Sequence, residues 1–260
     1  MQKTHSLLTM CILATAAAGL CHAADDLTVV SNVTTNGQPG GTETSYISVG
    51  HVRHSRGQES DMIIDLKTGV LTAINDKKKT YYTVTKQDID NMSAKMAERM
   101  NDPKMKQAMV MMQGMSSAMS TSTEVKKTGV TRTVAGYGCE EWMISMGPTM
   151  TIKECVTSDL KYPVQSWEAL RDFSESMRKS MSGFGPSAKA GADFAEKMKC
   201  IKGFPVATST VVDAGMAKST TSSEVTEVRR TPIAASTWDV PAGFTQVENP
   251  MMKSLQEHGH

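Results

Sequence analysis

Methionine is the residue type whose number and spacing in this chain most invite a chemical explanation. The chain has 21 methionines among 260 residues, and many of them recur at helical spacing between Met92 and Met119. Thioether sulfur binds Cu(I), a soft cation, when several sulfurs converge on one point. Spread along one face of a helix, the same side chains pack on a sheet and adapt to ligands of varying shape. We favour the packing face, because no His or Cys lies within residues 103–119, and keep a Cu(I) scavenger as a lesser alternative.

Two cysteines flank a tripeptide, Met146-Gly147-Pro148, that is typical of a hairpin loop. With these three residues as the loop, the opposite pairs are Cys139 with Cys155, Glu141 with Lys153, and Trp142 with Ile152. This register predicts a disulfide between Cys139 and Cys155 on the outer face of the hairpin. Alternation then assigns four side chains to the core face: Trp142, Ile144, Met150 and Ile152.

The remaining candidate residues do not form a reactive group. His51 and His54 lie three positions apart on a predicted strand, so they point to opposite faces and make a poor metal pair. Glu140 and Glu141 alternate across a strand in the same way. The sequence has no nucleophile elbow, phosphate loop or zinc-ligand spacing. We therefore predict no enzyme activity, no cofactor and no metal, with a buried, inert thiol at Cys200.

The first 23 residues have the pattern of a secretory signal peptide. Lys3 supplies a positive start, an apolar, Ala-rich run extends from Leu7 to Leu20, and Cys21-His22-Ala23 ends it. Leu20 argues against a lipidated Cys21, because small residues precede lipidated cysteines. We predict cleavage after Ala23 and a periplasmic or secreted protein that is soluble after cleavage.

The charge of the mature chain excludes one class of partner. Removing Lys3 from the 28 Lys and Arg residues leaves 27, which balance the 27 Asp and Glu residues. A nucleic-acid binder usually carries a basic excess, so no nucleic-acid partner is expected. Beyond the signal peptide, the sequence has no segment long and apolar enough to cross a bilayer, and we predict that the protein is not membrane-spanning.

The spacing of apolar residues and the positions of turn-forming residues divide the remaining chain into predicted strands and helices. Strands are predicted at Asp26–Thr35, Thr44–Arg53, three positions within Asp61–Tyr82, Thr123–Val134, Cys139–Ser145, Met150–Val156, Phe204–Val212 and Ser219–Arg229. The three strands within Asp61–Tyr82 form a meander whose first turn, Lys67-Thr68-Gly69, needs a positive φ at Gly69. Amphipathic helices are predicted from about Asp88 and at residues 103–119, 164–181 and 188–198.

This element order predicts an α+β fold. A meander with one apolar and one polar face must be covered, so we expect a curved antiparallel sheet, a half-open β-barrel, with helices on its concave face. The chain has no linker rich in Pro, Gly or Ser, which favours a single domain over residues 24–248. Residues 249–260 are polar, and a flexible C-terminal tail is expected there.

Several segments together carry a family resemblance: IIDLKTGVLTAINDKKKTYY, VAGYGCEEW, TIKECV, GFPV and IAASTWDVPAGF. In this order they resemble the exported bacterial proteins grouped as domain of unknown function 4412, over roughly Thr42 to Val247. That family is similar to the LolA-like superfamily, which implies a half-open antiparallel barrel plugged by helices. The resemblance implies a cleft for acyl chains or lipidated partners, and it supplies no catalytic residues.

The leading functional hypothesis is an envelope protein that holds an apolar small molecule or a lipidated protein. We expect an apolar cavity between the sheet and the helices at Ser93–Ser120 and Val164–Met181. The predicted ligand-binding residues are Met96, Met100, Met105, Met109, Met112, Trp142, Ile144, Trp167 and Leu170. The alternative is an interaction or envelope-sensor module whose cleft is filled by its own methionine helices.

Overall fold

The computed structural model describes residues 26–57, 59–101, 123–163, 168–175, 186–213, 215 and 217–257. The predicted signal peptide and the methionine helix over residues 103–119 lie outside these ranges. Four of the predicted site residues also lie outside these ranges: Met105, Met109, Met112 and Trp167. The predictions that concern these residues therefore stay predictions.

One twelve-stranded sheet forms the body of the protein, in the order β12-β6-β5-β4-β3-β2-β1-β11-β10-β9-β8-β7. The strands are β1 Leu27–Thr35, β2 Gln38–Ile47, β3 His51–Ser55, β4 Ser60–Asp65, β5 Val70–Asn75, β6 Thr80–Val84, β7 Thr123–Val134, β8 Tyr137–Met146, β9 Met150–Thr157, β10 Phe204–Asp213, β11 Lys218–Arg229 and β12 Thr245–Gln246. Neighbouring strands are antiparallel except β12, which is parallel to β6. Within the described ranges the edge strands β12 and β7 do not pair, so the predicted open antiparallel sheet is confirmed.

The predicted strand Thr44–Arg53 is wrong, because the chain reverses within it. Strand β2 ends at Ile47 and β3 begins at His51, and Ser48 N donates to His51 O across the turn at 2.9 Å. Gly50 permits this reversal to pack closely, since a Cβ atom there would lie 3.1 Å from Lys67 Cε. The β-branched and aromatic composition of the segment hid the turn.

The meander is confirmed as strands β4, β5 and β6. Gly69 has φ +71°, the positive value that the first turn was expected to need. Asp65 pairs with Val70 across this turn, which makes the loop one residue longer than predicted. Asp65 Oδ1 accepts hydrogen bonds from Lys67 N at 2.8 Å and Thr68 N at 3.1 Å and so fixes the loop.

The described ranges contain four α-helices: α1 Lys86–Asn101, α2 over residues 168–175, α3 Pro186–Met198 and α4 Pro250–Glu257. A capping box starts α1, because Asp88 N donates to Thr85 Oγ1 at 3.1 Å and Thr85 N donates to Asp88 Oδ2 at 2.8 Å. Ile89 and Met92, three positions apart, are buried, which confirms that α1 is amphipathic. Helix α4 lies where we expected a flexible tail.

The sheet curls most strongly between β7 and β11. Arg132 Nη1 on β7 donates to Glu224 Oε2 on β11 at 2.6 Å, although three strands lie between them in the sheet. Ladder pairing places Cys139 on the face of Arg132, and Cys155 and Ala207 on the face of Glu224. Both cysteines are therefore inside the curl, where they join the main core: Leu27, Val29, Ile47, Val134, Cys139, Cys155, Leu160, Phe204, Val206, Ala207 and Val225.

The predicted register of the β8–β9 hairpin is wrong by two residues. Trp142 lies opposite Glu154, and Ile144 lies opposite Ile152. The loop has three residues as expected, but it begins at Gly147, which has φ +59°. A loop displaced by one residue shifts every opposite pair by two and leaves the faces unchanged.

The disulfide Cys139–Cys155 nevertheless forms, with 5.3 Å between the two Cα atoms. The β8–β9 ladder ends at Glu140 opposite Val156, so Cys139 lies just past its end and reaches Cys155 diagonally. The predicted face assignment is confirmed for Ile144, which is completely buried. It is wrong for the cysteines, which are in the core, and for Trp142, Met150 and Ile152, which are only half-buried. Residue type misled us here, because a cystine is as apolar as the tryptophan that we placed in the core.

Candidate functional site

The structure describes the side chains of three predicted site residues, Trp142, Ile144 and Leu170. Met96 and Met100 belong to α1, and Leu170 is half-buried in α2. Ile144 on β8 is completely buried. Trp142 is half-buried with Lys127 Nζ at 5.1 Å from its ring centre. Trp142 thus faces charged neighbours on the outer side of the curl.

One face of the meander is covered by a C-terminal segment. The 3₁₀ helix Ala235–Trp238 lies against it: Arg53 Nη1 donates to Thr237 O at 2.6 Å, and the Trp238 ring stacks on His51 with 5.2 Å between centroids. Under this cover Ile63 is 5% exposed and Ile74 2% exposed. The covered face is therefore part of the packed interior.

The opposite face of the meander is open. Ladder pairing aligns His54, Met62, Ala73 and Tyr82 in one row across β3, β4, β5 and β6. Met62 is 37% exposed although it lies in the middle of this row. A large apolar side chain left in water on a broad sheet face is typical of a binding surface.

This open face forms a groove of about 820 Å³, which we call the meander groove. The apolar lining that belongs to the open face consists of Met62, Leu71, Ala73 and Tyr82, with Val247 and Pro250 also in contact with the groove. Val247, also 40% exposed, is held beside the sheet because Val247 N donates to Tyr81 O at 2.8 Å. The groove has the size and the mainly apolar lining of a small-molecule site.

The charges around the meander groove are mostly neutralised by partners. Arg56 Nε lies 2.7 Å from Glu43 Oε1, and His54 Nε2 lies 3.6 Å from Glu43 Oε2. Arg53 donates from both Nε and Nη2 to Asp61 Oδ2, the Nε contact being 3.0 Å. These pairs fix the ends of β2, β3 and β4 and leave little net charge at this end of the groove.

Two carboxylates meet behind the groove. Asp61 Oδ1 and Asp76 Oδ2 are buried without a hydrogen-bond partner among the described residues. Burial raises the pKa of Asp76, the negative charge of Asp61 raises it further, and Arg53 acts in the opposite direction. Asp76 therefore keeps its proton to a higher pH than an exposed aspartate does.

A second groove, of about 770 Å³, lies on the outer side of the curl. Lys127, Glu140, Trp142, Cys200 and Lys202 line it, and Lys127 Nζ contacts Glu140 Oε2 at 2.7 Å. The prediction that Cys200 is buried is wrong: its thiol is free and exposed. Cys200 Sγ lies 3.0 Å from Lys197 O, at the end of α3, where the helix leaves its last carbonyls at the surface.

Sequence reasoning missed Met62, Ala73 and Tyr82 as binding residues. The sequence feature that could have identified them is the alternation of faces along β4 and β5. Met62 and Leu71 each lie between two residues whose side chains belong to the covered face. The short apolar run Met62–Ile64 hid this alternation, because it reads as a strand buried on both sides. A second clue was Val247, an apolar residue in a polar stretch.

Two kinds of functional feature are absent from the part of the chain that the structure describes. Among the described residues, no three His, Cys, Asp or Glu side chains are grouped to hold a metal ion. None of the helices in those ranges is long and apolar enough to span a membrane. The meander groove offers apolar contact, tyrosine and a charged rim, which together select ligands by shape and polarity.

The chain was compared with known proteins. The family model described as a domain of unknown function, DUF4412, matches residues 47–244. The chain belongs to the DUF4412 family. This confirms the family predicted from the sequence, and the match includes all four strands that form the open face. Among curated proteins, none matches the chain in sequence.

Solved structures provide two further comparisons. A structure of PNGF-II in a C2 space group shares 12% sequence identity with this chain and superposes with a TM-score of 0.41. The match covers 90% of this chain and 33% of the PNGF-II chain. MucB in complex with MucA(peri) is 9% identical with a TM-score of 0.37, covering 86% of this chain and 57% of MucB. The chain thus spans about a third of PNGF-II and less than two thirds of MucB.

Proposed function

We propose that this DUF4412 protein is an envelope binding protein that holds an apolar ligand, either a small molecule or an acyl chain of a lipidated protein, in the meander groove. The observation that carries the proposal is the open row of Met62, Ala73 and Tyr82 on a part of the sheet whose other face is covered by the segment Ala235–Trp238. Transferring such a surface from water to an apolar ligand is favourable by about 25 cal/mol per Å² buried.

The position of the groove supports a ligand held between sheet and helices. Helix α1 follows β6 directly, and α1 contacts α4, whose Pro250 is at the rim of the groove. Helix α2 lies beside the β4–β5 turn, since a Cβ atom on Gly69 would lie 3.8 Å from Phe173 Cδ2. The register pairs Val84, just before α1, with Leu71, just after this turn, so α1 begins at the same end of the meander. The methionines of the predicted helical cover suit ligands of varying shape.

The disulfide supports the proposed compartment. Cystines form and persist in secreted and periplasmic proteins and are rare in the cytosol. A buried Cys139–Cys155 bond in the core of the curl therefore agrees with export after cleavage of residues 1–23. N-terminal sequencing of the purified protein tests the cleavage site, and a mature chain that still contains residues 1–23 contradicts export by this route.

The binding proposal is tested with an environment-sensitive apolar dye, titrated into the full mature chain. We expect micromolar affinity, about −8 kcal/mol, and a Met62→Asp variant that binds about tenfold more weakly, because a carboxylate in the groove must be desolvated. Val212→Asp is the matched control, since Val212 is 43% exposed on β10, away from the groove. Equal weakening by both variants, or no binding to the parent protein, contradicts the proposal and favours a self-filled interaction module.

A further inference from the structure

We infer that the meander groove takes a single-chain amphiphile with a carboxylate head group, a fatty-acid anion, and that Lys78 recognises the carboxylate. This inference rests on the proposed function and names the chemical class of its ligand. Three observations carry it: the charge balance of the lining, the place of Lys78 at one end of the groove, and the different environment of the neighbouring Lys77.

The charge balance leaves one cation for a ligand. Four acidic or basic side chains line the groove: His54, Arg56, Asp61 and Lys78. Glu43 neutralises Arg56 and contacts His54, and Arg53 neutralises Asp61. Among the described residues, the Lys78 ammonium has no carboxylate partner, so it is the charge in the lining that an anionic ligand would complement.

Lys78 lies at the turn end of the groove. It belongs to the β5–β6 turn, where Lys78 N donates to Asn75 Oδ1 at 2.8 Å. The next row of the ladder is Ser60, Asn75 and Thr80, a polar row that also lines the groove. Beyond it the lining becomes apolar at Met62, Ala73 and Tyr82. The groove therefore changes from charged to polar to apolar along the strands, which matches the order of groups in a fatty acid.

The length of the groove sets the class of chain. Strand β5 has six residues, which span about 20 Å at the usual rise of an antiparallel strand. A medium-length alkyl chain lies along such a strand with its carboxylate at the turn. A neutral diacyl group has no anionic partner for the exposed Lys78 ammonium, so it gains no ion pair at this end of the groove.

Lys77 provides a matched control for Lys78. The two residues are adjacent in the same turn and both are exposed. Lys77 Nζ, however, contacts Glu59 Oε1 at 3.1 Å and does not line the groove. Replacing either lysine by glutamine removes the same charge from the same turn, so only a local contact distinguishes the two variants.

The experiment measures the binding of dodecanoate and of dodecan-1-ol to the mature chain and to the K78Q and K77Q variants. For K78Q we expect the Kd of dodecanoate to rise about fivefold, the equivalent of about 1 kcal/mol, with dodecan-1-ol within about twofold of the parent. For K77Q we expect neither Kd to change by more than about twofold.

The outcomes separate this inference from the proposed function. If dodecan-1-ol binds the parent chain as tightly as dodecanoate, the carboxylate is not recognised and the inference is overturned, while the groove remains a binding site. If K77Q and K78Q weaken dodecanoate equally, the effect is general electrostatics and the inference also fails. If neither amphiphile binds, it is the proposed function that fails.

Discussion

The two ends of the twelve-stranded sheet bury their apolar side chains in different ways. From β7 to β11 the sheet curls on itself, and the disulfide lies inside the curl with Val134 and Ala207. At the meander, β3 to β6 stay open, and a later segment of the chain covers one face through Arg53 and His51. A self-packed end contributes stability, whereas a sheet covered on one face keeps the other face available for a ligand.

This difference also separates the forces at the two ends. The curl contains a covalent bond between buried cysteines of the neighbouring strands β8 and β9. An exposed ion pair, Arg132 with Glu224, spans the curl and contributes little in water. The meander depends on the buried pair of Arg53 with Asp61, whose side chains are 14% and 4% exposed. Removing the disulfide and the buried ion pair in separate variants shows whether the two ends contribute independently to the unfolding free energy, as sites far apart usually do.

Removing the disulfide is expected to have the largest effect. A Cys139→Ala, Cys155→Ala double variant should lose about 3 kcal/mol of unfolding free energy, because the bond closes a short loop in the unfolded chain. Urea denaturation of both proteins measures the loss. Affinity for an apolar dye should remain within about twofold, since the meander groove is at the other end of the sheet.

The control for this variant is Cys200→Ser. Its thiol is exposed, so the unfolding free energy should change by less than about 0.5 kcal/mol. A disulfide variant as stable as the parent, or one that loses dye binding together with stability, contradicts the division into two independent ends.

The two ends also differ in how well the sequence predicted them. In the meander, polar turns flank each short strand and Gly69 has the positive φ that its turn requires. The three strands were therefore predicted correctly, although the first loop is one residue longer than predicted. In the β8–β9 hairpin, Gly147 was placed one residue too late in the loop. The loop position sets the register, and a local sequence pattern does not distinguish two loops of equal length displaced by one residue.

The site was predictable only in part. An open apolar groove on the sheet is a property of the whole topology, because it depends on which face the segment at Ala235–Trp238 covers. That segment is distant in sequence, and its contacts with Arg53 and His51 involve a backbone carbonyl and a ring face, which no periodicity reveals. Cys200 illustrates the same limit: free cysteines are usually buried, but the end of α3 is at the surface.

Breaking the buried ion pair should have the next largest effect. Asp61→Asn removes the charge that pairs with Arg53, which leaves the guanidinium with weaker partners, and we expect a loss of about 2 kcal/mol of unfolding free energy. Urea denaturation at neutral pH measures it. Glu59→Gln is the control, because Glu59 pairs with Lys77 at the surface, with both side chains well exposed, and should cost less than about 0.5 kcal/mol.

The size of the Asp61→Asn effect tests whether the covered face of the meander holds the C-terminal segment in place. Arg53 also donates to Thr237 O, so a guanidinium released from Asp61 should loosen that segment. Hydrogen exchange is expected to be faster at the amides of residues 235–247 in the variant and unchanged in β8 and β9. Equal acceleration at both ends of the sheet contradicts local control by the ion pair.

The smallest expected effect is a gain in stability at the other end of the sheet. Glu154 on β9 is partly buried, and burial raises the pKa of its carboxyl above the ordinary value of 4.5. The native state therefore binds this proton more tightly than the unfolded chain does, and Glu154 makes the protein less stable as the pH rises above 4.5 through the folded-state pKa. A Glu154→Gln variant, neutral at every pH, should be more stable than the parent by about 0.5 kcal/mol at neutral pH, since part of the side chain remains in water.

The pH dependence decides between this electrostatic cause and a change in packing. The gain should disappear as the pH falls below 4.5, where the parent carboxyl is protonated as well. Tyr162 supplies a second readout: burial, and then the negative charge of Glu154, raise the pKa of its phenol to about 12. In the variant this pKa should fall but stay above 10.0, because burial is the larger cause. A gain that persists at acid pH, with an unchanged pKa of Tyr162, contradicts the electrostatic explanation and points to better packing of the amide.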